Sequence, residues 1–115
     1  MDKLDVGCVV AANLKIGRHP AIVLSTAEEI EASGKVLVVA ISSNTTNSLL
    51  EDRIEVPRRG LGMKKTCYVQ CDVVEKVFVN QVTPNGKKAH GPFLEKVHAQ
   101  VKIAADRAKK KSTQS

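Results

Sequence analysis

The 115-residue chain is of single-domain length, and its three cysteines are too few and too odd in number for a secreted disulfide framework. Lys and Arg total 18 against 12 acids, a net charge of +6 that favours an anionic partner, nucleic acid first, or else serves solubility alone. No apolar run approaches the roughly 20 residues of a membrane span, and Met1–Val6 already carries Asp2, Lys3 and Asp5, unlike a signal peptide. The cytoplasm is therefore the expected location.

Aromatics are scarce: Tyr68, Phe78 and Phe93 are the whole set, with no Trp. The core must be built from Val, Ile, Leu and Ala, and the abundance of Val favours strands. Asp5–Ala12 reads as a first strand and Pro20–Ser25 as a second, joined by the short Asn13–Gly17 connection. The second strand is almost continuously apolar, as is a third over Lys35–Ser42, which predicts burial on both faces. Between them Thr26–Ser33 predicts a short helix. Thr26 is its N-cap, Glu29 completes a capping box and Gly34 ends it.

Ser43–Ser48 is a polar loop. Asp52–Val56 alternates as a half-exposed strand should, and Arg58–Lys65 is a basic loop. Thr66–Val79 holds one long strand or two short ones interrupted by Asp72. Pro84-Asn85-Gly86 is a strong turn signal. From Pro92 to about Lys109 the period becomes helical, with Phe93, Val97, Val101 and Ala104 on one stripe. The expected organisation is one domain over 5–107 and a basic flexible tail over 108–115. Five or six short strands with a closing helix close most naturally as a small barrel or a strongly bent sheet.

Several ordered segments then resemble the MazF/PemK toxin family, Kid-like members included. His19-Pro20-Ala21-Ile22-Val23-Leu24-Ser25 is similar to the family's second strand, Arg-Pro-Ala-Leu-Val-Leu-Ser. Val38-Val39-Ala40-Ile41-Ser42-Ser43 is similar to its third, which ends in Thr-Ser or Ser-Ser. Gly60-Leu61 followed by Thr66–Asp72 resembles the later loop and strand, with a Kid-like Cys71-Asp72 pair. Phe93-Leu94, Val97 and Ala104 resemble the closing helix. The resemblance spans about Asp5 to Arg107 and rests on the order of the pieces. It implies a small Src-homology-3-like barrel with a C-terminal helix, of the kind shared with gyrase-inhibiting toxins. It further implies a homodimer that cleaves single-stranded RNA or mRNA without a metal or other cofactor and is inhibited by a cognate antitoxin.

Metal-free RNA cleavage needs a base for the 2′-hydroxyl, an acid for the leaving 5′-oxygen and a group that stabilises the charged phosphate between them. The resemblance assigns these roles unevenly. The family carries a catalytic Arg directly before the second-strand proline. Here His19 stands there and Arg18 sits one place earlier, on the opposite face of a strand. His19 suits acid–base work, with an unperturbed pKa near 6.5; otherwise it is an idle loop-edge histidine. Ser42 matches the family's active-site Thr/Ser, or simply caps the start of a loop. Asp72 matches a base or orienting Asp, or merely breaks a strand. Gln70 replaces the Kid-like Arg two places before that Asp, and the Kid-like His of the first loop has no counterpart in Asn13–Gly17. The candidate catalytic set is therefore His19, Ser42, Asp72 and Arg18. Arg53, Arg58, Arg59, Lys64, Lys65 and Gln70 are RNA-contact candidates, or a solvated basic surface.

Other chemistries fit poorly. Cys67 and Cys71 share a strand face, but zinc would need two more ligands, and His90 and His98 are not at finger spacing. Gly-rich phosphate loops and nucleophile elbows are both missing from the sequence. Two functional readings stand: an endoribonuclease toxin, and a barrel that binds nucleic acid or a protein partner without cutting. A gyrase-poisoning relative is a third.

Overall fold

A computed structural model describes residues 4–43, 49–57 and 65–113, with side chains as far as 110. The strands are β1 (Cys8–Leu14), β2 (Gly17–Val23), β3 (Lys35–Ser42), β4 (Arg53–Glu55), β5 (Tyr68–Phe78) and β6 (Val82–Lys88). The helices are α1 (Ala27–Ser33) and α2 (Gly91–Thr113). All strand pairs are antiparallel, in the order β4-β5-β3-β2-β1-β6.

The continuous apolar runs do bury both faces. On one face Val9, Ile22, Val39, Ile41 and Val69 pack with Val97 of α2, flanked by half-buried Phe93, Leu94 and Val101. On the other, Val10, Ala21, Val23, Val36, Val38 and Ala40 pack with Ile30 of α1. The sheet curls around this second face. The backbone N–H of Lys15, at the tip of the β1–β2 hairpin, reaches across to donate to the Glu75 carboxylate on β5 at 2.9 Å. Among the described residues no pair joins β4 to β6, so the sheet stays open. The two helices cover what full barrel closure would otherwise hide.

Local sequence chemistry explains α1 well. Thr26 Oγ1 accepts from the Glu29 N–H at 3.2 Å, and the Glu29 carboxylate accepts from the Thr26 N–H at 2.9 Å. Those Thr26 hydrogen bonds hold the Glu29 carboxyl below its usual pKa. Gly34 then takes the left-handed conformation (φ 70°) and donates to the Ile30 carbonyl at 2.7 Å.

Three expectations need correction. Pro84-Asn85-Gly86 does not reverse the chain. It lies inside β6, where Val10 pairs with Pro84 but Cys8 pairs with Lys88, so extra residues bulge out opposite β1. Proline is tolerated there because β6 is an edge strand. Asp72 does not break its segment: β5 runs unbroken for 11 residues and absorbs Asp72 in a register shift. The C-terminal helix continues to Thr113, past Lys109, the expected end of the helical period.

The helix is held by a contact the sequence did not suggest. Asp52, read as a half-exposed strand position, is fully buried in a single 3-10 turn, Leu50–Asp52. Its carboxylate accepts from Gln100 Nε2 at 2.8 Å and pairs with the Arg107 guanidinium, which also lies 3.5 Å from Glu51. Removing Arg107 would leave a buried carboxylate uncompensated. Arg107→Ala is therefore expected to lower stability by about 3 kcal/mol, read from urea unfolding midpoints. Gly7 makes a second test. It sits at φ 91°, and a β-carbon there would lie 2.4 Å from the Ala89 carbonyl oxygen. At Gly34 a β-carbon meets nothing within 4 Å. Gly7→Ala should thus lower the melting temperature well beyond Gly34→Ala, whose cost is about 1 kcal/mol from backbone strain alone.

Candidate functional site

Strand alternation decides which side chains meet. In β2, His19 shares the parity of Ala21 and Val23 and so lies on the curled face. In β3, Ser42 shares the parity of Val38 and Ala40 and lies there too, buried to 6% exposure. The β2–β3 ladder ends at the Ala21–Ala40 pair; His19 lies two residues beyond it on β2 and Ser42 two residues beyond it on β3, on the same face. Ser42 in turn pairs with Tyr68 of β5, and Tyr68 with Glu55 of β4. The next row is Ala21, Ala40, Gln70 and Arg53. The curled face is therefore apolar through its middle and polar at the end carrying Ser42, where His19, Tyr68, Glu55, Gln70 and Arg53 gather.

The remaining candidates lie elsewhere. Arg18 has the opposite parity to His19, and its guanidinium donates to Asn13 Oδ1 at 2.8 Å and Thr83 Oγ1 at 2.9 Å. It braces three strands on the α2 side of the sheet and does not join His19. Asp72 stands four residues beyond Tyr68, about 13 Å along an extended strand. The register shift turns it outward, exposed, where its carboxylate accepts from the Leu49 N–H at 3.2 Å. It therefore borders the Arg53–Gln70 row rather than the His19–Ser42 pair. Lys65 is exposed ahead of β5. Arg58, Arg59 and Lys64 fall outside the described residues.

The sequence reading missed Tyr68 and Glu55. Their signal was available only through register, since pairing places them beside Ser42 though they lie more than ten residues from it in the chain. Two clefts of about 250 and 350 Å³ run along β6, lined by Leu4, Pro84 and their neighbours, and contain no candidate site residue. Among the described residues no three His, Cys, Asp or Glu side chains group as metal ligands, and no helix is long and apolar enough to cross a membrane.

No protein-family model and no curated protein matches the sequence. Solved structures do match. MazF from Deinococcus radiodurans superposes with a TM-score of 0.73 over 88% of this chain and 94% of that one, at 18% identity. The chain has the MazF toxin fold. A mycobacterial endoribonuclease bound to its cognate antitoxin gives a TM-score of 0.70 over 90% of this chain and 95% of that one, at 17% identity. The Mycobacterium tuberculosis toxin MazF-mt6 gives 0.63 over 86% and 96%, at 20% identity. The expected MazF/PemK-type fold, mainly β with a C-terminal helix, is thus the fold observed, as an open sheet.

The cysteines of this MazF-fold chain have a chemical signature of their own. Burial, with the nearby Asp52 and Asp72 carboxylates, pushes the Cys71 thiol up to about 12. A raised thiol pKa favours the folded state while the unfolded thiol is still protonated. That contribution is whole below about pH 9 and fades as pH rises toward 12. Stability should therefore decline over that alkaline range, and Cys71→Ser should flatten the decline in pH-resolved denaturation. In native protein a thiol reagent at pH 8 should modify half-exposed Cys8 first, and reach buried Cys67 and Cys71 only on unfolding.

Proposed function

We propose that the chain is the toxin of a toxin–antitoxin pair: a metal-independent endoribonuclease that cuts single-stranded RNA, works as a cytoplasmic homodimer and is held by a cognate antitoxin. The MazF fold supports this, since proteins named as endoribonuclease and antitoxin-bound toxin share it. The observation that supports the reading for this chain is that His19 and Ser42 lie on the same face of adjacent strands, each two residues past the last β2–β3 pair. An imidazole and a hydroxyl so placed suit one phosphodiester.

In this mechanism His19 takes the proton from the 2′-hydroxyl. The 2′-oxygen attacks phosphorus, Ser42 donates to a non-bridging oxygen, and the P–O5′ bond breaks. The products are a 2′,3′-cyclic phosphate and a 5′-hydroxyl, the leaving oxygen taking its proton from water or from protonated His19. Arg53, beside Gln70, offers a cation to the adjoining phosphate, and Asp72 fixes Leu49 at the far border. Arg18 is left outside this machinery. Its place on the other face, together with uncharged Gln70, favours one rival: a MazF-fold protein that binds RNA or a protein without cutting.

Incubation of the purified chain with a defined RNA in chelator, followed by end mapping, separates the two. Cleavage that leaves cyclic-phosphate ends supports the nuclease; retention of intact RNA supports the RNA binder; neither defeats both and leaves only a protein partner. His19→Ala should slow cutting about 10²- to 10⁴-fold, and Ser42→Ala about 10²-fold, with unchanged melting curves. Arg53→Ala should weaken RNA binding across sequences and reduce the salt slope by about one. Induced expression should arrest growth, and the two active-site variants should not.

A further inference from the structure

We propose that Tyr68 is the base-stacking platform of the RNA site, resting on the endoribonuclease reading above. Ser42, assigned above to the phosphate, lies one strand to one side, and Glu55 lies one strand to the other. Adjacent strands are about 4.8 Å apart, so the Tyr68 ring stands within a single nucleotide of a phosphate held at Ser42. The Glu55 carboxylate repels phosphate. The nucleotide that crosses Tyr68 therefore turns its base, not its backbone, toward this part of the face. The next phosphate finds its cation at Arg53, one row away on the same strand as Glu55.

The ring suits the task. It is half-buried, so packing fixes it while part stays open. Among the described residues its hydroxyl is held by no hydrogen bond. Phe78 and Phe93 lie elsewhere, at the far end of β5 and against the α2-side core. Tyr68 is then the aromatic group on the polar end of the curled face, and stacking on one ring tolerates any base while still adding affinity.

The chain has one Tyr and no Trp, so Tyr68 is its only ultraviolet-excited emitter of note. This gives a readout independent of cutting. The purified full chain is titrated with a 2′-O-methyl RNA heptamer of randomised sequence, which cannot be cleaved. Binding is followed by anisotropy of a labelled copy, and Tyr68 emission with an unlabelled one after correction for absorbance. Stacking predicts quenching that saturates with binding. Tyr68→Leu should bind about ten-fold more weakly or worse, and Tyr68→Phe close to normally. Circular dichroism melts check that both variants are folded. Binding with unchanged emission, or a folded Tyr68→Leu that binds as well as the parent, overturns the stacking role and leaves the nuclease reading standing. Failure of the parent to bind the heptamer at all overturns the stacking role, and end mapping on unmodified RNA then decides the nuclease reading separately.

Discussion

Everything in this molecule follows from a sheet that cannot leave either face in water. Val9 and Val10 in β1, Ile22 and Val23 in β2, and Val38 and Val39 in β3 all lie within 1% exposure, neighbours pointing to opposite sides. Such strands need two covers. The chain supplies them by different means: α2 lies across one face, while on the other the sheet bends over itself and α1 seals the margin. The bend is also what turns a flat array into a concave one, and a concavity with a polar end is where a ligand can be held.

The cover on the first face must be fastened, because a helix with a modest apolar stripe is only loosely committed to a sheet. Asp52 fastens it. Burial of a carboxylate is costly unless partners replace its water, and Gln100 and Arg107 both do so from one side of α2. The same 3-10 turn leads directly into β4 and its Arg53, so helix docking and the far wall of the polar row are mechanically one unit. Leu49, just ahead of the turn, is tied to Asp72. The residues that frame the site therefore depend on the helix even though the helix lies behind the sheet.

Legibility in the sequence followed the range of the forces involved. The α1 boundaries were readable because Thr26, Glu29 and Gly34 act within a few residues of each other. β3 was readable because its run of apolar residues is uninterrupted. Pro84-Asn85-Gly86 misled for an opposite reason: the same residues that make a turn also make a bulge, and only pairing with β1 selects between them. Asp52 was invisible because its partners lie 48 and 55 residues away. In the site, alternation along β2 was enough to separate Arg18 from His19. No local pattern tells that Tyr68 and Glu55 stand in line with Ser42, because that alignment belongs to the register of three strands.

The bulged margin at β6 has a further meaning. An outermost strand offers unpaired amides to any passing chain, and a long flat one invites fibrils. Here Pro84 withholds one such amide, Asn85 captures the Lys87 N–H with its own side chain at 2.8 Å, and Lys87 and Lys88 add charge. That rim is thereby made a poor template for strand addition, a built-in guard against runaway polymerisation along it.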